Sequence, residues 1–203
     1  MKIALKNPFL IYEIPIILTM KLYMLILGCR PKGRFTEQHD VFFGIGTSLA
    51  ELIPQIKAFW PEAKGQIHID SWREVTAVDN YSIKVVAKST VKESIDQLFF
   101  INLGGYKENE MEEFHYKMIT VRPTLAEATK IAKASTFYKH YGFKGATSHL
   151  DDKYGIDVDD LYNVKEILPM DLKDKFGLQI SRSEDPLIAD ELHIGYLKLD
   201  KII

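Results

Sequence analysis

The chain has 203 residues, 46% hydrophobic and 27% charged, the composition of an ordinary soluble globular protein long enough to bury a core without disulfides or structural metal. A net charge of -2 and a pI near 6.3 argue against nucleic acid or an anionic membrane as the main partner, because binding phosphates needs a basic surface. The single cysteine, Cys29, excludes an internal disulfide and fits a reducing, cytoplasmic setting.

The first residues differ from the rest. An apolar run from Phe9 to Ile17 is broken by Glu13 and Pro15. A secretory signal needs about 7–15 unbroken apolar residues and a spanning helix about 20. Residues 1–19 are therefore expected to form a poorly packed extension, or an artefact if translation starts at Met20.

Lys21–Leu27 is a short apolar run ended by Gly28, the pattern of a strand buried on both faces. Val41–Ile45 reads as a second strand. Ser48-Leu49-Ala50-Glu51 has the spacing of a capping box, in which the hydroxyl and the Glu satisfy two free amides at a helix start. Pro54 should kink or shorten that helix. Lys64-Gly65 reads as an exit turn, followed by strands at Ile67–Val75 and Tyr81–Ala87. The same order then recurs: strands at Gln97–Leu103 and Tyr116–Val121, a helix from Thr124-Leu125-Ala126-Glu127 to about His140, and an exit turn at Lys144-Gly145. That helix would present Leu125, Ala128, Ile131 and Ala132 on one face. The acidic stretch Asp151 to Asp160 reads as irregular surface, Phe176–Ser181 as a strand, and Leu192–Leu199 as a closing strand.

The recurrence has a constant offset. Gly28 and Gly104, Glu37 and Glu113, His39 and His115, and Glu51 and Glu127 are each separated by 76 positions. Between 21–57 and 97–133, nine positions are identical with no gap. A later signature, His68-Ile69-Asp70, recurs as His149-Leu150-Asp151 at an offset of 81, with the extra residues near Tyr138 to Phe143. The run Ile26-Leu27-Gly28-Cys29 looks like a lipoprotein cleavage site, but the second copy has Gly105 in place of the cysteine, so the Leu-Gly pair belongs to the repeat. Gly28 and Gly104 are expected to supply a positive φ at a strand end.

The pattern predicts an α+β fold built by tandem duplication of a strand-strand-helix-strand(-strand) unit. The two units would pack with pseudo-twofold symmetry, with one helix per repeat on the sheet. The expected segments are an extension at 1–19, a first repeat at 20–94, a second at 95–185 and a closing strand segment at 186–203.

Four of the six histidines fall at equivalent places of the two copies. In extended chain, residues i and i+2 share a face, so Glu37 stands beside His39, His68 beside Asp70, Glu113 beside His115, and His149 beside Asp151. A carboxylate next to an imidazole orients the ring and fixes its tautomer. Three uses fit. The first is a divalent metal held by His39, His68 and Asp70 with Glu37 behind them; two histidines and an acid can leave positions open for water or substrate. The second is a metal-free acid–base or small-ligand site made of these dyads. The third is structural, with the rings bonded to loop backbone. His140 and His193 read as ordinary surface or helix-end residues.

This combination resembles the bacterial family catalogued as domain of unknown function 1543. The elements are a Leu-Gly strand end, Glu-x-His, a Ser/Thr-Leu-Ala-Glu helix start and His-hydrophobic-Asp. The matching residues are Leu27, Gly28, Glu37, His39, Lys64, Gly65, His68 and Asp70 with their second-copy partners, over about residues 20–185. The resemblance implies one or two copies of the domain and no assigned activity, ligand or catalytic residue.

The residues leave two functional classes. One is a non-catalytic binding or interaction module with structural His/acid pairs. The other is a small-ligand or metal-dependent hydrolase-like enzyme. An enzyme should gather His39, His68 and Asp70 about a common point beside a concavity. An interaction module should spend the ring nitrogens on main-chain carbonyls and expose an apolar patch elsewhere.

Overall fold

The computed structural model describes residues 19–106, 109, 111–135 and 156–202, with the side chains of 156 and 157 left aside. Among the described residues, ten strands and a few short helices make an α+β fold. The strands are β1 (Lys21–Cys29), β2 (Gln38–Gly46), β3 (His68–Glu74), β4 (Ala77–Val78), β5 (Tyr81–Ala87), β6 (Gln97–Tyr106), β7 (Glu113–Arg122), β8 (Ile156–Asn163), β9 (Phe176–Arg182) and β10 (His193–Lys198). One sheet has the order β10-β3-β1-β2, a second β7-β6-β8 and a third β4-β5-β9, all antiparallel.

β1, one of two inner strands in the first sheet, and β6, the inner strand of the second, are apolar on both faces, as a doubly covered strand must be. Leu22 and Met24 of β1 point into a core shared with Leu98 and Phe100 of β6, where Phe43 meets Phe100 edge-to-face at 5.8 Å. Tyr23, Leu25 and Leu27 point the other way, under Leu52 and Ile56 of the first helical segment. Phe99, Ile101 and Leu103 likewise lie under Ala128 and Ala132 of the helix α2 (Leu125–Lys133). The layers therefore run helix, sheet, shared core, sheet, helix. The third sheet adds Val78, Ile83, Val85 and Ile180 to the shared core.

Several expectations change. The first helical segment opens as a 3-10 turn, Leu49–Leu52, and becomes the helix α1 (Ile53–Phe59). Pro54 therefore sits in its first turn, where no amide is required, and does not kink it. The Ser48 hydroxyl makes no cap bond; Glu51 instead accepts from the Thr47 amide at 2.7 Å. At the second helix the Thr124 hydroxyl does accept from the Glu127 amide, at 3.2 Å. Only Ala128 and Ala132 of its expected face are buried, while Leu125 and Ile131 are exposed. Small residues let the helix approach the sheet closely. It ends at Lys133, before His140, and residues 136–155 lie outside the described residues, together with Lys144-Gly145, His149 and Asp151.

Part of the acidic stretch read as irregular is strand β8. Val158 and Leu161 interrupt its acidic residues and pack against the second sheet's core; pairing with β6 supplies the order that composition hid. Residues 1–18 of the expected extension also lie outside the described residues. β9 pairs with β5, and β10 adds an edge to β3, so the late strands complete sheets begun early in the chain. Among the described residues, no helix is long and apolar enough to cross a membrane.

Candidate functional site

The site grows from the end of β1. Gly28 pairs with His39 on β2 and with His68 on β3. Directly opposed residues in an antiparallel ladder project to the same face, so the two rings flank a position that has no side chain. Glu37 lies two residues before His39. A bulge in the β1–β3 register, between Ile26 paired with Ser71 and Leu27 paired with Ile69, leaves Asp70 as the extra residue. Bulges re-aim side chains in this way.

Gly28 does not have the positive φ expected of it. Its role is space. A Cβ there would overlap His68 Nε2 and come to 2.8 Å of Cε1 and 2.9 Å of Asp70 Oδ2. The glycine lets the imidazole and the carboxylate lie over the strand.

Four groups converge there. His39 Nε2 is 3.2 Å from Asp70 Oδ2 and 3.6 Å from Glu37 Oε2. His68 Nε2 is 3.2 Å from Glu37 Oε1 and 3.2 Å from Asp70 Oδ1. His68 is buried, at 5% exposure, while His39 and Glu37 are partly open. Despite the short separations, neither His68 Nε2 nor Asp70 Oδ2 has a hydrogen-bond partner. Among the described residues, neither ring donates to a main-chain carbonyl. Tyr196 of β10 lies over His68 with ring centroids 4.2 Å apart and planes at 33°.

Residues 34–85 match the family described as Domain of Unknown Function (DUF1543). That segment holds Glu37, His39, His68 and Asp70, all four converging groups. The crystal structure of a protein Il1583 from Idiomarina loihiensis is similar in fold, with 20% identity and a TM-score of 0.52 over 89% of this chain and 98% of that one. No curated protein matches the chain.

The second sheet has a related arrangement. Gly104 pairs with His115 on β7 and with position 157 on β8, and a bulge follows at Asp159. β8 thus meets β6 in the register in which β3 meets β1. Position 157 stands opposite Gly104 as His68 stands opposite Gly28, and Asp159 is the bulged residue as Asp70 is. His115 Nε2 is 3.2 Å from Asp159 Oδ2 and 3.9 Å from Glu113 Oε2, and these three residues each offer one ligand atom within 4.8 Å of the others. A Cβ on Gly104 would overlap Asp159 Oδ2, so this glycine also makes room. Glu113 also pushes the Tyr106 phenol upward by its charge.

Asp159 was missed because the identity His149-Leu150-Asp151 outweighed the chemically similar Asp157-Val158-Asp159, which keeps the polar-aliphatic-Asp order. Tyr196 was missed because β10 joins β3 from far along the chain. His193, read as a surface residue, stacks on Trp72 with centroids 3.9 Å apart. Burial, and secondarily the charge of Glu37, raise the Cys29 thiol above its usual range, and its side chain is packed into the core at the strand end.

A concavity of about 950 Å³ opens beside the first cluster, with Glu37 and His68 in its wall. Arg30, Lys57, Tyr196 and Lys198 line it as well.

Proposed function

We propose that the chain binds a divalent metal ion through His39, His68, Glu37 and Asp70. The observation that carries this reading is the buried His68 Nε2, set 3.2 Å from two carboxylates without a hydrogen bond to either. A buried ring nitrogen left without a hydrogen bond costs free energy unless something else engages it. Donors about 2.0–2.2 Å from a tetrahedral ion lie about 3.3 Å from one another; the nitrogen–oxygen separations here are 3.2 to 3.6 Å, with each carboxylate turning one oxygen to each ring. Two imidazoles with two carboxylates suit zinc, manganese, cobalt or iron better than calcium.

The rings face carboxylates instead of main-chain carbonyls, which supports the metal reading over that of a purely structural interaction module. An ion that takes water as a fifth ligand beside these four lowers the pKa of that water, so metal-dependent hydrolysis is the reaction class that such a site serves. The lone buried thiol suits a cytoplasmic location.

We also infer that the chain descends from a tandem duplication. The shared register of β3-β1-β2 and β8-β6-β7, each with a glycine under its bulge, supports it. In this reading the first copy kept two histidines, and the second has Asp157 where the first has His68.

Elemental analysis of the purified protein tests the site. About one equivalent of a first-row metal per chain is expected, and it should fall severalfold in His68→Ala. Absence of metal, with no uptake of zinc, manganese or cobalt added afterwards, overturns the reading.

A further inference from the structure

The concavity beside the cluster has a charge pattern of its own. Arg30 follows β1, Lys57 lies on α1 and Lys198 ends β10, so three separate stretches of the chain bring a cation to its lining. Among the described residues, none of the three has a carboxylate within ion-pair distance. The two acids in the lining have other company: Glu37 faces the two histidines, and Asp200 lies 3.9 Å from Lys201 Nζ. In a chain of net charge -2, this is a local excess and not the mark of a basic protein. The opposite requirement comes from Ile53, Ile67 and Leu199, which give the same space an apolar side.

We propose that this cavity binds a small organic phosphate, its oxyanion shared between the metal and Arg30, Lys57 and Lys198, with its carbon skeleton against Ile53, Ile67 and Leu199. The inference rests on the metal reading above, because Glu37 and His68 are common to the cavity and the cluster. Three cations and an ion match a dianionic, tetrahedral group better than a carboxylate, whose single charge would leave most of them uncompensated. A bare inorganic anion would make no use of the apolar side that Ile53, Ile67 and Leu199 give the cavity.

The test uses the full chain loaded with cobalt(II), whose visible absorption reports its coordination. Phenyl phosphate is titrated in, with inorganic phosphate alongside. A saturable change in the cobalt spectrum, at lower concentration for phenyl phosphate than for inorganic phosphate, is expected. In Lys57→Ala, Lys198→Ala the phenyl phosphate affinity should fall at least about tenfold while cobalt affinity stays within about threefold. If cobalt binds but neither phosphate alters its spectrum, or if the double variant binds phenyl phosphate as well as the parent, the anion proposal is overturned and the metal site stands. If cobalt does not bind, the metal reading fails and the anion proposal falls with it.

Discussion

Gly28 lies directly under His68: a methyl group on the glycine would occupy the space of the ring's Nε2. The strand pairing that sets the two opposite each other also buries the ring. Gly28→Ala should therefore leave the sheet formed and displace the imidazole. The expected cost is that of overpacking a tight site, about 1–3 kcal/mol, with metal affinity reduced at least tenfold, roughly the loss of one good ligand contact. Far-UV circular dichroism, thermal unfolding and metal titration of the variant check this. Unchanged metal affinity would mean that the ring does not need its observed position.

Removal of the ion gives a second prediction. A ligand at about 100 times its dissociation constant stabilises the folded state by about 2.7 kcal/mol. For a chain of this size each kcal/mol moves the melting temperature by about 2–4 °C. Adding zinc to the chelator-treated protein should thus raise its melting temperature by roughly 5–10 °C. Asp70→Asn keeps the shape of the side chain but removes the charge, and should abolish most of the rise. His193→Ala, which alters the stack on Trp72 away from the cluster, should keep it.

These expectations depend on features that were unevenly legible in the sequence. The inner strands β1 and β6 were plain, because a short apolar run ended by Gly has few other readings. The pair Glu37 and His39 was plain for a similar reason: alternation along a strand puts them together whatever the tertiary fold. What the chain order could not convey was the partner strand. Asp70 reaches the cluster through a bulge, and Asp159 through the register of β8, and neither register is written in local composition. The acidic character of Asp157 to Asp160 argued for solvent, yet two apolar neighbours and one long ladder were enough to make a strand. Gly28 and Gly104 were noticed correctly and explained wrongly, since a glycine kept for space and a glycine kept for its φ look identical in one dimension.

Asp79 gives a prediction about the fold itself. It stands with Asn80 in the two-residue turn between β4 and β5, both at positive φ, 50° and 65°. Such turns follow the strands' twist and favour Asp and Asn there. Its carboxylate accepts from the Thr120 hydroxyl, from the Val121 amide at 3.0 Å and from Arg122 Nη1 at 2.9 Å. One side chain therefore ties the β4–β5 turn to β7. Asp79→Ala strips the buried Thr120 hydroxyl and the Val121 amide of their acceptor and should cost about 2–4 kcal/mol. Asp79→Asn retains one acceptor oxygen and should cost less. Urea unfolding of both variants checks the order; equal losses would show that the turn, and not the bridge, sets the effect.

Tyr23 carries the prediction for alkaline pH. Its phenol is pushed up to about 12, first by burial and then by the charge of Glu74, whose Oε1 accepts from it at 3.3 Å. An unfolded tyrosine ionises near 10. Between those two values the folded state holds a proton that the unfolded state has lost, so stability must fall as pH rises from about 10 to about 12. Below that window the group contributes no pH dependence. Lys21, which donates to the same Glu74 oxygen at 2.7 Å, remains in place when Tyr23 is altered. The informative quantity is therefore the difference between the parent and Tyr23→Phe. At neutral pH the variant should be weaker by about 0.5–1.5 kcal/mol for the lost hydrogen bond. The gap should close or reverse above pH 11, because the variant has no phenol to hold neutral. Chemical unfolding at intervals between pH 8 and 12 reads this directly, and parallel curves for the two proteins would mean that Tyr23 is not the group that makes the fold alkali-sensitive.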